Sequence, residues 1–427
     1  VIRVAITTLG CKANWSDSEG VARALSQAGL SVVGFDSEAD LYIINTCTVT
    51  GLAAAQSRQM VRRAVRRVSG AKVVAMGCLG ETGRDELARI AGVDEVFGAD
   101  ERGSLIDYVL ALAGRGAASS PDPDSALACA ALGPQSRARA FLKIQDGCDR
   151  SCSYCIITKA RGASRSVPID EVVRRARELG RHHREIVLTG IDIGQYGSGL
   201  EDGANLEGLL ELLAQDESVP RLRLSSLDPT GLTAGIVSAI AGGGVCRHVH
   251  LSLQSASDPV LRAMRRRYTS REALRTVERL LEAVPGIAVT ADIIAGFPGE
   301  AAGDHESTVE MLESMPLAGM HVFPYSAMAG TAAAGMPGQV PHGEKRRRAA
   351  QIRRLAQKKR LTFLNGLIGS SMDVIVTSEE PDDAGVVEAF SDNAVVVRLG
   401  AGIVGYAEMG RARVTGTVGG AVSGEWE

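Results

Sequence analysis

The sequence predicts an α/β protein in three parts. An N-terminal doubly wound parallel sheet comes first, then a central partial (βα)6 TIM-like barrel, then a small OB-like β-barrel. Three observations predict this. Short apolar strand patterns alternate with helical patterns over residues 1 to about 112 and again over 139 to about 365, and parallel strands need such crossovers. Between these stretches, 113–138 turns to Ala, Ser, Pro and Gly (GAASSPDPDSALACAALGPQS), a linker composition. From 366 to 427 helix signals stop and short Val-rich strands take over, a length and pattern that fit a five-stranded barrel.

The elements follow in order. VIRVAITTLG reads as a strand, DSEGVARALSQAG as a helix and LYIINTC as a strand. The basic helix AAAQSRQMVRRAVRRVSG, the strand AKVVAMGC and the helix DELARIAG complete the first part. In the second part FLKIQDG, EIVLTG, RLRLSS, HVHLSLQS, VTADIIAGF and MHVFPYS are six strand candidates, most of them separated by helical stretches. Right-handed βα repeats close toward a barrel, with active residues at the strand C-termini. In the last part MDVIVTS, NAVVVRL and ARVTGTV are strands.

The 427 residues suit two to three domains, and 45% apolar content is enough for full cores. No apolar run approaches the 18 or so residues of a membrane span, and the N-terminal segment lacks a charged-then-apolar signal pattern. Eight cysteines are too sparse for a disulfide framework; their clustering suits metal ligation in a reducing compartment, so a cytoplasmic location is expected. With a net charge of only -3, any nucleic-acid affinity must come from local patches.

Cys148, Cys152 and Cys155 are spaced C-x3-C-x2-C in GCDRSCSYC. Thiolates so close, on a loop after an apolar strand, can wrap one iron–sulfur cluster and leave one iron open for a substrate or cofactor. A structural zinc site wants four ligands, and no His lies near enough in sequence to complete one. Three inert buried thiols are the other alternative. Cys11, Cys47 and Cys78 each directly follow a predicted strand. Singly, each reads as a small buried apolar residue. Because all strand C-termini of a parallel sheet open on one edge, together they make a second three-thiolate cluster plausible. Cys129 and Cys246 have no such companions and read as ordinary thiols.

TLGCKAN, NTCTVTG, FLKIQDGCDRSCSYCII, LRLSSLDP, HLSLQSASDPVLRAMRRRYT, AGFPGE and HVFPYSAMAGT, in this order, resemble the radical S-adenosylmethionine (SAM) methylthiotransferases. The likeness covers nearly the whole chain and is greatest to the branch acting on N6-threonylcarbamoyladenosine in tRNA. It implies two [4Fe-4S] clusters. Cys148, Cys152 and Cys155 would hold the radical SAM cluster, whose free iron binds the amino and carboxylate groups of SAM. Cys11, Cys47 and Cys78 would hold an auxiliary cluster that supplies or carries the sulfur. In this family one SAM methylates that sulfur and a second is cleaved reductively to activate adenine C2. No His, Asp or Ser constellation is then required, because the cofactors do the difficult steps.

The same resemblance places Tyr154 against the SAM adenine, Thr189 and Gly190 at its amino group, and Ser252 and Gln254 at its ribose. Gly296, in AGFPGE, would let backbone approach the adenine, a reason for glycine that also stands on its own. Strand-end and turn chemistry is the plain alternative for Ser252, Gln254 and Gly296. The chain departs from the family pattern at Trp15, Thr158, Asp192, Ala256, Met328 and Ala329, which puts pocket polarity and substrate detail in question but alters no proposed ligand.

Three basic stretches bear on RNA, one of them Arg265, Arg266 and Arg267 after the fourth barrel strand. Arg62, Arg63, Arg66 and Arg67 form an i, i+4 ridge, as readily a solvated helix face as a binding surface. KRRRAAQIRRLAQKKR (345–360) holds nine basic residues and no acid. On a helix Ile352, Leu355 and Ala356 can face inward while Arg346, Arg347, Arg348, Arg353, Arg354 and Lys358 present charge to phosphates. The last barrel resembles the TRAM domain, an RNA-binding module. With only Phe390, Tyr406 and Trp426 as aromatics there, electrostatics should dominate. The expected partners are tRNA, an electron donor such as flavodoxin or ferredoxin, and a sulfur donor, with neither membrane nor DNA among them. Isopentenyladenosine in tRNA and an aspartate of a ribosomal protein are the alternative substrates. A non-catalytic RNA-binding iron–sulfur protein is the reading outside enzymes.

Overall fold

The computed structural model describes residues 2–68, 70–115, 138–201, 203–400 and 404–427. Cys129 and most of the expected linker lie outside the described residues. In the first part, β1 (Arg3–Thr8), β2 (Ser31–Val33), β3 (Leu41–Thr46), β4 (Lys72–Gly77) and β5 (Glu95–Val96) form one parallel sheet in the order β2-β1-β3-β4-β5. Helices α1 (Lys12–Gln27), α2 (Gly51–Val65), α3 (Cys78–Thr82), α4 (Arg84–Ala88) and α5 (Arg102–Leu112) connect and flank the strands. Every residue of β3 is buried. Its Leu41 and Ile43 join one core cluster while Tyr42 and Ile44 join another, so both faces are covered, as a parallel sheet demands. The edge strands β2 and β5 have three and two residues, too short to leave a period-two pattern in the sequence.

All six expected strands of the second part form: β6 (Arg139–Lys143), β9 (Glu185–Thr189), β10 (Arg221–Leu224), β11 (His248–Gln254), β12 (Ala288–Ala295) and β13 (Gly319–Pro324). They make two parallel three-stranded sheets, β10-β9-β6 and β11-β12-β13. Parallel bridges Leu222–Val245 and Leu227–Leu251 join them into one curved wall, and β6 and β13 do not pair with each other. A two-stranded ribbon of β7 (Gln145–Asp146) and β8 (Arg165–Ser166) follows β6. Helices α6 (Ile157–Arg161), α7 (Ile169–Gly180), α8 (Leu206–Ala214), α9 (Ala234–Ala241), α10 (Asp258–Ala263), α11 (Ser270–Ala283), α12 (Ala302–Ser314) and α13 (His342–Gly366) complete this part.

The last part is a closed barrel, β14 (Ser371–Val376), β15 (Val386–Ser391), β16 (Val396–Gly400), β17 (Met409–Val418) and β18 (Ala421–Trp426), in the order β14-β15-β16-β18-β17. It docks on the N-terminal ends of the central strands. Arg223 donates there to the carbonyls of Ser391 (2.8 Å) and Asp392 (3.0 Å), and Arg139 lies 4.3 Å from the Phe390 ring centroid. Beneath them Arg139, Arg221 and Arg223 share the buried Glu185 carboxylate at 2.7, 2.7 and 2.8 Å. Docking at that end leaves the C-terminal strand ends free for a site. Among the described residues no helix is long and apolar enough to cross a membrane.

Candidate active site: two cysteine trios beside adjoining cavities

Cys148, Cys152 and Cys155 sit on the loop that leaves β7 and enters α6. Ser153 pins this loop across the barrel mouth, its hydroxyl donating to the Ala263 carbonyl at 2.7 Å and its carbonyl accepting from the Ala333 amide at 2.7 Å. Every sulfur of the trio faces a donor. Cys148 Sγ lies 3.4 Å from both the Arg150 amide and Gln195 Nε2, Cys152 Sγ 3.4 Å from Arg266 Nη1, and Cys155 Sγ 3.4 Å from the Ile157 amide. Burial pushes the Cys148 thiol up and the Cys155 thiol up to about 11, so bound metal rather than solvent must favour the thiolates. Donors aimed at each sulfur are the surroundings that cluster thiolates need.

These cysteines line a cavity of about 350 Å³ together with Arg150, Tyr154, Asp192, Asp228, Ser252, Gln254 and Arg266. Arg266 reaches the Ser252 carbonyl at 2.6 Å and pairs with Asp228. Gln254 takes a left-handed φ of 65° where β11 bulges at its end, which turns its backbone off the strand line beside the cavity. Tyr154 packs edge-on against Phe297 with 6.5 Å between ring centroids.

The other trio gathers at the C-terminal edge of the first sheet. Cys11 caps α1, Cys47 follows β3, and Cys78 opens α3. Gly10 has φ 104°, and a Cβ there would lie 2.7 Å from Cys47 Sγ, so only glycine lets the Cys11 and Cys47 loops approach this closely. Asn14 holds the loops, donating to the Leu9 carbonyl at 2.8 Å and the Thr46 carbonyl at 3.0 Å, with its Oδ1 3.6 Å from Cys78 Sγ. From the barrel side Arg161 Nε lies 3.2 Å from Cys78 Sγ. Burial pushes Cys47 up and Cys78 up to about 11. Arg161 is fully enclosed, donating to Asn14 (2.6 Å), Asp17 (2.8 Å) and Asp146 (3.0 Å), while Lys143 bridges Asp146 (2.8 Å) and Asp17. This charged knot ties the cysteine edge of the first sheet to β6, β7 and α6.

Cys11 opens into a second cavity of about 1500 Å³, walled by α1, the open side of the central barrel, α13 and Phe390 of the last barrel. Asp292, Ser252, Ile191 and Phe323 line both cavities, which therefore adjoin. His250 Nε2 and His321 Nδ1 lie 3.1 and 3.4 Å from Asp292 Oδ1. Burial opposes the Asp292 charge, but hydrogen bonds from His250 and His321 hold the carboxyl down to about 2. Among the described residues these three are the one group of His, Cys, Asp or Glu side chains with ligand atoms all within 4.8 Å of one another.

Other residues singled out in the sequence fall elsewhere. Thr189 and Gly190 line the larger cavity and not the smaller; Gly190 packs on Gln145, whose backbone oxygen would sit 2.7 Å from a Cβ. Gly296 lines neither cavity. Its φ is 77° and its close neighbour is Lys345 of α13, 2.5 Å from where a Cβ would stand, so packing against this helix already requires glycine here. On α13, Arg346, Arg354 and Lys358 are exposed, Arg353 lines the larger cavity, and Arg347 pairs with Glu344 at 2.7 Å. Arg348 turns inward to Glu300 (2.9 Å) and Glu344 (2.7 Å) and drops out of the exposed basic ridge. Arg63 and Arg67 both lie near Asp36, at 3.2 and 3.5 Å, and stack on Phe35. Asn14, Asp17, Lys143, Asp146, Arg150, Arg161, Gln195 and Asp228 escaped the sequence reading, and Arg266 entered it only as part of a basic run. Of these, Asn14, Asp146 and Arg150 carried a signal, lying within three residues of a candidate ligand cysteine.

Comparison with known proteins agrees with this geometry. Residues 142–312 match the Radical SAM superfamily and 3–98 match the Uncharacterized protein family UPF0004. The threonylcarbamoyladenosine tRNA methylthiotransferase MtaB of Bacillus subtilis (strain 168) is 33% identical over 92% of this chain and 89% of its own length. The tRNA-2-methylthio-N(6)-dimethylallyladenosine synthase of Chlorobium luteolum is 32% identical over 100% and 97%. The ribosomal protein uS12 methylthiotransferase RimO of Desulforudis audaxviator is 34% identical over 88% and 85%. The cobalamin- and [4Fe-4S]-bound radical SAM methyltransferase TsrM of Kitasatospora setae shares the fold, with a TM-score of 0.60 at 16% identity over 78% of this chain and 77% of its own. With a Radical SAM match over 142–312 and relatives aligned along most of their length, the chain belongs to the radical SAM methylthiotransferases.

Proposed function

We propose that this enzyme adds a methylthio group to C2 of N6-threonylcarbamoyladenosine at position 37 of tRNA, beside the anticodon, in the cytoplasm. The observation that carries the reading is the larger cavity, which holds Cys11 in its lining, adjoins the SAM-side cavity and is large enough for a splayed nucleoside. Trp15, Phe141, Phe323 and Phe390 give it aromatic faces, and Lys12, Arg353 and Arg360 give it positive charge. Proteins read RNA loops by unstacking bases onto such faces. Relatives named for threonylcarbamoyladenosine support the N6 group.

In this reading residues 1–112 hold the second cluster on Cys11, Cys47 and Cys78, 139–365 hold the first on Cys148, Cys152 and Cys155, and 366–427 bind RNA. When bound, the clusters and SAM supply the methyl group, the sulfur and the radical chemistry at C2. The protein's own residues orient and insulate. Ser252, Gln254 and Tyr154 would border SAM, and Arg150 and Arg266, held by Asp192 and Asp228, would offer N–H donors to its carboxylate. The exposed Arg346, Arg354 and Lys358 attract the RNA backbone. A flavodoxin or ferredoxin would supply electrons and a separate donor would restore sulfur. Mass spectrometry of tRNA nucleosides from a deletion strain and its complement tests the assignment. Loss of the 2-methylthio derivative of threonylcarbamoyladenosine is expected; loss of the isopentenyl derivative instead would favour the substrate of the Chlorobium relative.

A further inference from the structure

The walls of the larger cavity are electrically lopsided. Lys12, Arg353 and Arg360 line it, and among the described residues the one carboxylate in its lining is Asp292. That carboxylate is engaged by His250 and His321. Arg353 donates to the Val322 carbonyl at 2.9 Å. Lys12 and Arg360 meet no carboxylate within salt-bridge reach among the described residues; each has only an aromatic ring, Phe141 at 5.9 Å and Phe363 at 6.0 Å. Elsewhere the fold pairs its enclosed cations closely, as Glu185 shows with three arginines. Lys12 is exposed and Arg360 half-buried, so both present a charge uncompensated by any protein carboxylate to whatever enters the cavity.

Their placement says where that anion sits. Lys12 begins α1, so the unsatisfied amides of a helix start add to its charge. Arg360 rests over Gly319 at the beginning of β13, on the side of the cavity away from the strand C-termini and the SAM-side trio. The floor of the cavity thus has a positive potential that its own carboxylates do not cancel. Adenine reacts at C2, and a substituent on N6 projects from a different edge of the ring. A base with C2 toward the cysteines can send its N6 arm to this floor.

We propose that Lys12 and Arg360 form a carboxylate-reading subsite that recognises the acidic end of the N6 substituent and so selects the substrate. The inference rests on the threonylcarbamoyladenosine reading above. An anion could also come from an RNA phosphate, but Lys12 and Arg360 line one cavity with Phe141 and Phe390, faces that suit a base and its substituent better than a backbone.

The test uses the reconstituted full-length enzyme and anticodon stem-loop RNAs bearing threonylcarbamoyladenosine, its methyl ester, or plain adenosine. The ester removes one charge and keeps every phosphate. The wild-type enzyme is expected to prefer the acid to the ester by about 10- to 100-fold in kcat/KM, the range of a charge-assisted contact. In Lys12→Gln and Arg360→Gln the acid-to-ester ratio should fall toward one, whatever the absolute rates. Equal turnover of acid and ester by the wild type overturns the subsite with no variant needed. A wild-type preference that survives both substitutions does so too, and an equal loss on all three RNAs assigns the cations to phosphate. If the wild type leaves the threonylcarbamoyl RNA unmodified, the substrate assignment itself falls, a distinguishable failure.

Discussion

Arg161→Met is the most informative single perturbation, because Arg161 is 1% exposed and touches both halves of the site. It donates to Asp17, Asp146 and Asn14 and lies 3.2 Å from Cys78 Sγ. Burial works against charge here, yet Lys143, Arg161 and Arg102 together hold the Asp17 carboxyl below its usual range. Methionine fills much of the space but supplies no donor. Breaking a buried ion pair from one side costs about 3–5 kcal/mol. Lys143 still reaches both carboxylates and Arg102 still reaches Asp17 at 3.3 Å, so the lower end, about 3 kcal/mol, is expected. For domains of this size that corresponds to a Tm drop of roughly 6–12 °C. The protein should remain folded, since domain stabilities run to about 5–15 kcal/mol. Anaerobic calorimetry and iron analysis are the assays, and iron on Cys11, Cys47 and Cys78 should be lost before iron on the other trio. An Arg161→Met protein with an unmoved Tm and full iron would refute the reasoning that this knot holds the first domain and its cysteines against the barrel.

Glu19 is 4% exposed with an unpartnered carboxylate oxygen, and burial pushes its carboxyl from 4.5 up to about 8. Below pH 4.5 both states keep the proton; as pH rises to 8 only the unfolded state releases it freely, so stability falls across that window. Glu19→Gln should therefore raise Tm at pH 8, by an amount worth about 2–4 kcal/mol, and hardly at pH 5; an unchanged or pH-independent Tm would contradict this. Arg266→Met removes the cation 3.4 Å from Cys152 Sγ and should make the potential of that cluster more negative, read by an EPR-monitored redox titration. Glu substitutions at Arg346, Arg354 and Lys358 should weaken tRNA binding about tenfold or more and flatten the dependence of log K on log salt by about two. Arg348→Glu should instead lower Tm, because Arg348 is closed on Glu300 and Glu344.

The strand–helix alternation and the cysteines were readable because both are local patterns. A parallel strand buried on both faces must be an apolar run, as Leu41–Thr46 is, and C-x3-C-x2-C needs only a loop. What escaped is set by tertiary approach. Asp17 and Asp146 are 129 positions apart in the chain and meet through Lys143 and Arg161; nothing in either local sequence marks a buried acid. Arg348 looked like its neighbours in a basic run, yet the helical period turns it inward where Glu300 and Glu344 wait. Gly296 invited a ligand reading because a left-handed glycine in a loop has several causes, and sequence cannot tell a passing helix from a passing substrate.

The division of charge across the site has a functional logic. The smaller cavity balances its arginines internally, Arg150 and Arg266 against Asp192 and Asp228, so a cofactor with charges of both signs, as SAM has in its sulfonium, ammonium and carboxylate, would meet no large uncompensated field there. The larger cavity has no such balance at Lys12 and Arg360. Two adjoining cavities with opposite charge bookkeeping can sort a cofactor from an anionic substrate before either reaches the cysteines. Since Asp292 lines both cavities, its two histidines matter most: with its charge taken up there, it leaves Lys12 and Arg360 unneutralised. Asp292→Asn should then let the histidines relax and blunt the acid-to-ester preference far less than Lys12→Gln does. An Asp292→Asn enzyme that loses that preference as fully as Lys12→Gln would move the source of selectivity from the cavity floor to the histidine pair.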